Sequence, residues 1–514
     1  MQTLFYNLSG GISQSQSKTA MGLETKKLYW TDAENIEILQ NSGIIRQNGN
    51  TRLFTLPDND EIITLHQMKD IDSYNLLVAT KSGKLYVYST KSLTLTELDK
   101  KIDSSVPLFC VEYLDGIVCG SEKDSLFYIN NDVGFAVESC NLLDSLGAPI
   151  MVNAIGIYSG RIWVASKATL YYSALGKYND FTSENDAGYI NNFYTNTDDI
   201  CALKTYQDYL AIYKESSVYL LSGSNNDDFK ITPFADKGTA SAFGVVTVNN
   251  KQYFINDGVF SLEQAGLLRQ IQLGAEISIP IQKEFNQFDK TRFSKLIVLH
   301  YANKHQAWFF LPYQNDEYFH TIWIFDYVSE AWFKRVVPQN ITFACLCNGS
   351  ILTADSSGNV YKEDFGKTFD GQPIKFLWKS PFLASGNSNV RKTIEEFYFI
   401  LDEDYDNDFQ FSVYKDYDAE YKDDGDKIYS SNSTNLLWHN DSLNSNRNYC
   451  WPVELVNKSA SMSKPVLWST GADSIYKAEI SESNYAVQLC VEGSSIEHNV
   501  AIIGLEFKEI YTDE

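Results

Sequence analysis

The stretch Tyr253-Phe254-Ile255-Asn256-Asp257-Gly258-Val259-Phe260 reads as an apolar run, a polar turn ending in glycine, and an aliphatic residue followed by an aromatic one. Aromatic and β-branched residues on both sides of an Asp-Gly step describe a hairpin. The same signature returns along the chain. Its aliphatic–aromatic pair recurs as Leu85-Tyr86, Leu126-Phe127, Leu170-Tyr171, Val218-Tyr219, Ile322-Trp323 and Val360-Tyr361, each after an apolar run. Lys81-Ser82-Gly83 and Ser356-Ser357-Gly358 are turns of the same kind. Seven hairpins mostly about 40 to 50 residues apart are the interval of a four-stranded propeller blade, a unit that covers its apolar faces only by stacking on its neighbours. The fold expected is all-β: a β-propeller of about seven blades, six being the alternative count, followed by a second β domain.

Outside the repeats the pattern changes. Residues 1–50 open with a Gly-, Ser- and Gln-rich segment and then strand-like pieces, Asn35-Ile36-Glu37-Ile38 and Ile44-Ile45-Arg46. This segment is a candidate for closing the propeller ring. The propeller is expected over 51–365. One helix is expected around Ala275–Phe285, cut short by Pro280. Beyond Gly366 strict alternation takes over, in Phe397-x-Phe399-x-Leu401, Phe409-x-Phe411-x-Val413 and Val487-x-Leu489-x-Val491. That is the period of half-buried antiparallel strands, so 366–514 reads as a β-sandwich-like domain.

Composition narrows the function. Of 514 residues 44% are apolar, with 33 Tyr and 30 Phe, which favours strands and supports sizeable cores. The sequence has no uninterrupted apolar stretch of about 18 residues and opens without a charged-then-apolar leader. The expectation is a protein that neither spans a membrane nor is secreted. With 42 basic and 66 acidic residues the formal charge is −24, which removes any electrostatic grip on nucleic acid phosphates. Eight cysteines form no CxxC pair and lie mostly in apolar runs, the pattern of small buried hydrophobes in a reducing compartment.

The candidate chemistry is thin. Asp402, Asp404, Asp406 and Asp408 alternate in a way that invites a calcium reading, but the loop has no glycine at its bend and reads as a solvated turn. Asp423-Asp424-Gly425-Asp426 lacks a closing Glu. The histidines, His66, His300, His305, His320, His439 and His498, make no HxH or HxxxH pair. No nucleophile elbow, phosphate loop or dinucleotide fingerprint is present. Asp355-Ser356-Ser357-Gly358 lacks the Trp of a sialidase repeat. Phe325-Asp326-Tyr327 with Trp332 reads as core filling between blades. No catalytic, cofactor-binding or metal-binding residue is assigned, and no cofactor.

Several stretches, in order, resemble one family. Leu8-Ser9-Gly10-Gly11-Ile12, Asn35-Ile36, Gly43-Ile44-Ile45-Arg46 and Gly49-Asn50 are similar to the opening of the tail propeller proteins of tailed bacteriophages, the packaged-DNA stabilisation and tail-hub or nozzle proteins of short-tailed phages. Leu170-Tyr171-Tyr172-Ser173, Lys214–Tyr219, Gly238-Thr239-Ala240-Ser241, Ile324-Phe325-Asp326-Tyr327 with Trp332, and Gly371-Gln372-Pro373-Ile374 resemble later elements of that family. The resemblance implies a non-enzymatic virion protein assembled in the bacterial host cytoplasm. It implies a homo-hexamer below the portal and adaptor rings that extends the DNA channel, helps retain the genome and docks a needle, fibre or spike. DNA would pass its acidic lumen without specific binding. The alternatives are a glycan-cleaving propeller, which needs carboxylates lining the channel, and a monomeric propeller that binds peptides or glycans.

Overall fold

The computed structural model describes residues 2–511 apart from short breaks and longer gaps at 16–26, 384–390, 417–421, 431–435, 439–465 and 469–473. The loop-rich stretch 430–463 lies almost wholly outside the described residues, as do Asp404, Asp406, His439, Cys450 and His498. The chain divides into two compact units. One comprises Gly49–Trp332 and Val336–Asp370; the other comprises Met1–Asn48, Phe333–Arg335 and Gly371–Glu514.

The larger unit is a seven-bladed propeller. Blades 1 to 5 are separate four-stranded antiparallel sheets, beginning with the strands Ile62–Lys69, Phe109–Tyr113, Ala154–Tyr158, Ile200–Tyr206 and Val245–Val248. Each aliphatic–aromatic pair falls at the third strand of its blade and the apolar run before it forms the second. In blade 5, Tyr253, Phe254 and Ile255 face Ser261, Phe260 and Val259. Blades 6 and 7 share one seven-stranded sheet, because the 17-residue strand Ala331–Cys347 is the last strand of blade 6 and the first of blade 7.

Stacking explains why the second strands carry unbroken apolar runs instead of alternation. Gly116–Gly120 and Gln306–Phe310 are buried at every position, since a neighbouring blade covers each face. The apolar clusters follow the same logic. Leu77 and Val87 of blade 1 pack with Ile117 and Phe127 of blade 2. Val118 and Tyr128 of blade 2 pack with Ile162 and Val164 of blade 3. Trp163 and Leu170 of blade 3 pack with Ile212 and Tyr219 of blade 4. The outermost strands, such as Thr94–Lys101, are largely exposed. Trp332 is buried, with Phe325 and Phe309 at ring distances of 4.9 and 5.1 Å, and its Nε1–H donates to the Ile277 carbonyl at 2.8 Å. It fills the propeller core.

The ring is closed by a strand from early in the chain. Asn50–Thr55 pairs antiparallel with Asn359–Glu363 as the fourth strand of blade 7. Closure therefore comes from a strand that starts at the last residue of the 1–50 segment expected to supply it and runs on to Thr55. Residues 1–48 instead group with the second unit, where Asp32–Glu34 joins one sheet and the hairpin Ile36–Ile38/Ile44–Arg46 joins the other. A short hairpin shows its own pairing in sequence but not the sheet that adopts it. The expected helix reduces to a 3-10 turn, Ile279–Ile281, with Pro280 inside it, followed by one α-turn, Gln282–Phe285.

The second unit is a sandwich of two sheets. One runs Ile36–Ile38, Ile44–Arg46, Ala501–Tyr511, Lys392–Leu401, Ser474–Asn484, with Gln2–Tyr6 also on Ala501–Tyr511. The other runs Asp32–Glu34, Ile374–Lys379, Val487–Ser495, Asn407–Lys415, Lys422–Ser430. Phe399 of the first sheet meets Phe409 and Phe411 of the second at 5.8 and 5.0 Å, so the sheets face each other across an aromatic core. No helix among the described residues is long and apolar enough to cross a membrane.

The closing blade carries a testable polar seam. Glu363, 2% exposed, accepts hydrogen bonds from Asn50 Nδ2 at 3.0 Å and Thr353 Oγ1 at 2.7 Å. Glu363→Ala leaves these buried donors without their acceptor and is expected to cost about 1–3 kcal/mol. Arg52→Ala, which removes the more exposed ion pair with Asp370, is expected to cost less than about 1 kcal/mol. Urea unfolding of the two variants checks the order.

Candidate functional site

The first strand of every blade lines the axis of the ring, and between them lies a cavity of about 490 Å³. Its wall takes His66 from blade 1, Cys110 from blade 2, Ile155 from blade 3, Lys204 from blade 4, Val245 from blade 5, Val298 from blade 6 and Cys345 from blade 7. Three phenylalanines meet across it. Phe243, in the turn before Val245–Val248, stacks on Phe109 of blade 2 at 5.6 Å and meets Phe343 of blade 7 edge-on at 5.0 Å. Blades 2 and 5 are far apart around the ring, so this contact spans the axis.

Few polar groups interrupt that apolar wall, and their partners divide them. Glu112 is engaged: its Oε1 accepts from the Lys69 backbone N–H at 3.1 Å and from Gln67 Nε2 at 3.5 Å. Gln67 Oε1 in turn accepts from the Asn348 backbone N–H at 2.7 Å. His66 and Lys204 differ. His66 Nε2 is buried with no hydrogen-bond partner among the described residues. Burial, and then the nearby Lys204 charge, pull the imidazole down to about 4, so it is neutral at pH 7. Lys204 lines the cavity and is exposed, and loss of hydration lowers its ammonium from the usual range. No counter-charge to it is found among the described residues.

The other candidates resolve into structure. Asp355 accepts from the backbone N–H groups of Ser357 and Asn359, each at 2.8 Å, and from Tyr361 OH at 2.9 Å, so it holds a turn. His300 Nε2 and His305 Nδ1 lie 3.2 and 3.4 Å from Tyr327 OH. His320 sits between Asp316 and Asn340 Oδ1, and despite burial the hydrogen bond with Asp316 raises its pKa. Seven cysteines are free thiols; Cys110 and Cys201 are half-buried and the others buried. Burial pushes Cys140, Cys201 and Cys347 up to about 12. Among the described residues no three His, Cys, Asp or Glu side chains gather as a metal site.

Sequence reading missed the cavity, because it ranked blades by their second and third strands. One signal was present. Lys204 breaks the apolar run Cys201-Ala202-Leu203 in a first strand, where a charge has no ordinary place.

No protein-family model matches the chain, and no curated protein does. Solved structures similar to it include a chain of a mitotic checkpoint complex, at 12% identity and a TM-score of 0.41 over 61% of this chain and 94% of that one. The WD40 β-propeller domain of Doa1 is similar at 10% identity and 0.41, over 61% and 96%. The Neurospora crassa Pan2 WD40 domain is similar at 13% identity and 0.37, over 63% and 96%. The fold described above stands on the strand pairing itself.

The His66 shift sets an acid dependence. Between pH 6.5 and about 4 the unfolded chain binds a proton at this site that the folded chain refuses, so His66 costs stability as pH falls through that window. His66→Gln is expected to flatten the fall, read as the difference between the two proteins' unfolding free energies at pH 7 and pH 4.5.

Proposed function

We propose that the chain is a structural component of a tailed-phage virion, part of a tail hub or nozzle ring below the portal and adaptor, assembled in the bacterial cytoplasm. The observation that carries this reading is where the family-like motifs fall. They are joints of the scaffold and do not cluster at one surface site. Gly49 packs so closely on the Thr368 carbonyl that a Cβ would lie 1.8 Å from its oxygen, at the entry to the closing strand. Gly238 is held as tightly against the Lys214 carbonyl, at the exit from blade 4. Any side chain at either position would push two backbones apart. Gly43-Ile44-Ile45-Arg46 forms a sandwich strand, with Arg46 Nη1 donating to the Ser495 carbonyl at 2.8 Å. A resemblance made of such positions is a resemblance of architecture.

Charge supports the same role. A net charge of −24 lets a lumen pass DNA without holding it. With Phe109, Phe243 and Phe343 meeting across the propeller axis, that lumen would have to form between copies, six in the expected ring. The rims of such a ring would dock the portal-side and appendage proteins.

Purified virions test the reading. The protein is expected in stoichiometric amount by quantitative mass spectrometry, and as a ring of about six copies in electron-microscope averages of the tail. A monodisperse monomer absent from particles would favour the binding propeller, and release of reducing sugars by the pure protein would favour the glycosidase.

A further inference from the structure

We infer that the axial cavity of the propeller is a binding site for a small amphipathic monoanion, with Lys204 taking its carboxylate or phosphate group and the phenylalanine cluster its apolar body. The inference is independent of the tail reading; it rests on three features of the cavity.

The first is size. About 490 Å³ lies within the range of pockets that enclose metabolite-sized ligands. The second is the charge balance of the wall. Glu112 is the one carboxylate that lines it, and its Oε1 is taken up by the Lys69 backbone and Gln67. No ion pair joins Glu112 or any other described carboxylate to the Lys204 ammonium, which lines the same largely apolar space. An unpaired cation among apolar walls is costly to keep, and an anion of the right size relieves that cost. The third is His66, which lines the same cavity and whose buried Nε2 has no hydrogen-bond partner among the described residues. A turn of the ring that uncovers Nε2 would let it share the carboxylate or phosphate group held by Lys204, as a second charge-assisted bond once protonated. Cys110 and Cys345 also line the wall and suit an apolar body.

The edge-to-face and stacked contacts among Phe109, Phe243 and Phe343 give this body a surface that an aromatic or alkyl group can extend. A ligand with charge at one end and hydrocarbon at the other therefore satisfies both parts of the cavity. A free inorganic anion satisfies only one, and a cation satisfies neither.

Titration calorimetry of the full chain tests this with 4-phenylbutyrate and decanoate, set against 4-phenylbutanol and 4-phenylbutylamine. One equivalent of each acid is expected to bind, the alcohol about tenfold more weakly or worse, and the amine not at all. Site assignment comes from 13C-labelled histidine: the imidazole resonance that vanishes in His66→Gln must move as the acid is added. Lys204→Gln is expected to lose at least about tenfold in acid affinity, while Lys204→Arg keeps the preference for acid over alcohol. The comparison of charged with uncharged probes needs no variant and so stands even if a substitution unfolds the ring. No saturable binding of either acid, equal binding of acid and alcohol, or binding that leaves the His66 resonance still would overturn the inference.

Discussion

Everything in the larger unit depends on apolar faces that no blade can cover alone. A four-stranded sheet with both faces greasy is insoluble by itself and becomes stable only between two others. That requirement propagates around the circle until the last blade meets the first, so the structure needs closure more than it needs any single blade. The strand Asn50–Thr55, hydrogen-bonded to Asn359–Glu363, supplies it. The buried Glu363, tied to Asn50 and Thr353, gives this closing seam a polar lock inside an otherwise apolar stack.

The same physics decides which parts of the fold could be read from residues. The second and third strands of each blade are sandwiched, so their unbroken apolar runs and aliphatic–aromatic pairs stand out, and blade number followed from counting them. The alternation beyond Gly366 was equally open, because Phe399, Phe409 and Phe411 each face one core with the opposite faces wet. Partner choice was hidden. Nothing local in Ile36–Ile38 and Ile44–Arg46 states that they join the sheet of Ala501–Tyr511, hundreds of positions away. Register and sheet membership are long-range properties, settled by what remains uncovered once everything else has folded.

The cavity was hidden for a related reason. Its wall is assembled from one or two residues of each of seven strands, so no window of sequence contains it. His66, Phe109, Lys204, Phe243 and Phe343 become neighbours only when the circle is complete. Lys204 and Glu112 were the residues that broke the apolar runs of their first strands. A charge placed where an apolar side chain would be cheaper marks a position selected for something besides stability. Of the other residues singled out in the sequence, Asp355 holds a turn, and His300, His305 and His320 make hydrogen bonds.

The two halves of the locking seam, Asn50 and Glu363, stand 313 positions apart. During synthesis the first half leaves the ribosome long before its partner exists, and six blades emerge with an unfinished flank at each end of the stack. Such a chain has high contact order, and its loop-closure entropy must be overcome before the final pairing rewards it. Until then the open stack presents apolar sheet faces to every neighbouring nascent chain, the condition under which chaperone holding and subunit mis-joining compete. The sandwich waits longer still, since its strand Ala501–Tyr511 must arrive before the hairpin of Ile36–Ile38 and Ile44–Arg46 can join a sheet. Maturation is thus timed by the synthesis of Ala501–Tyr511, with Gln2–Tyr6 and Ile44–Arg46 held in reserve until then.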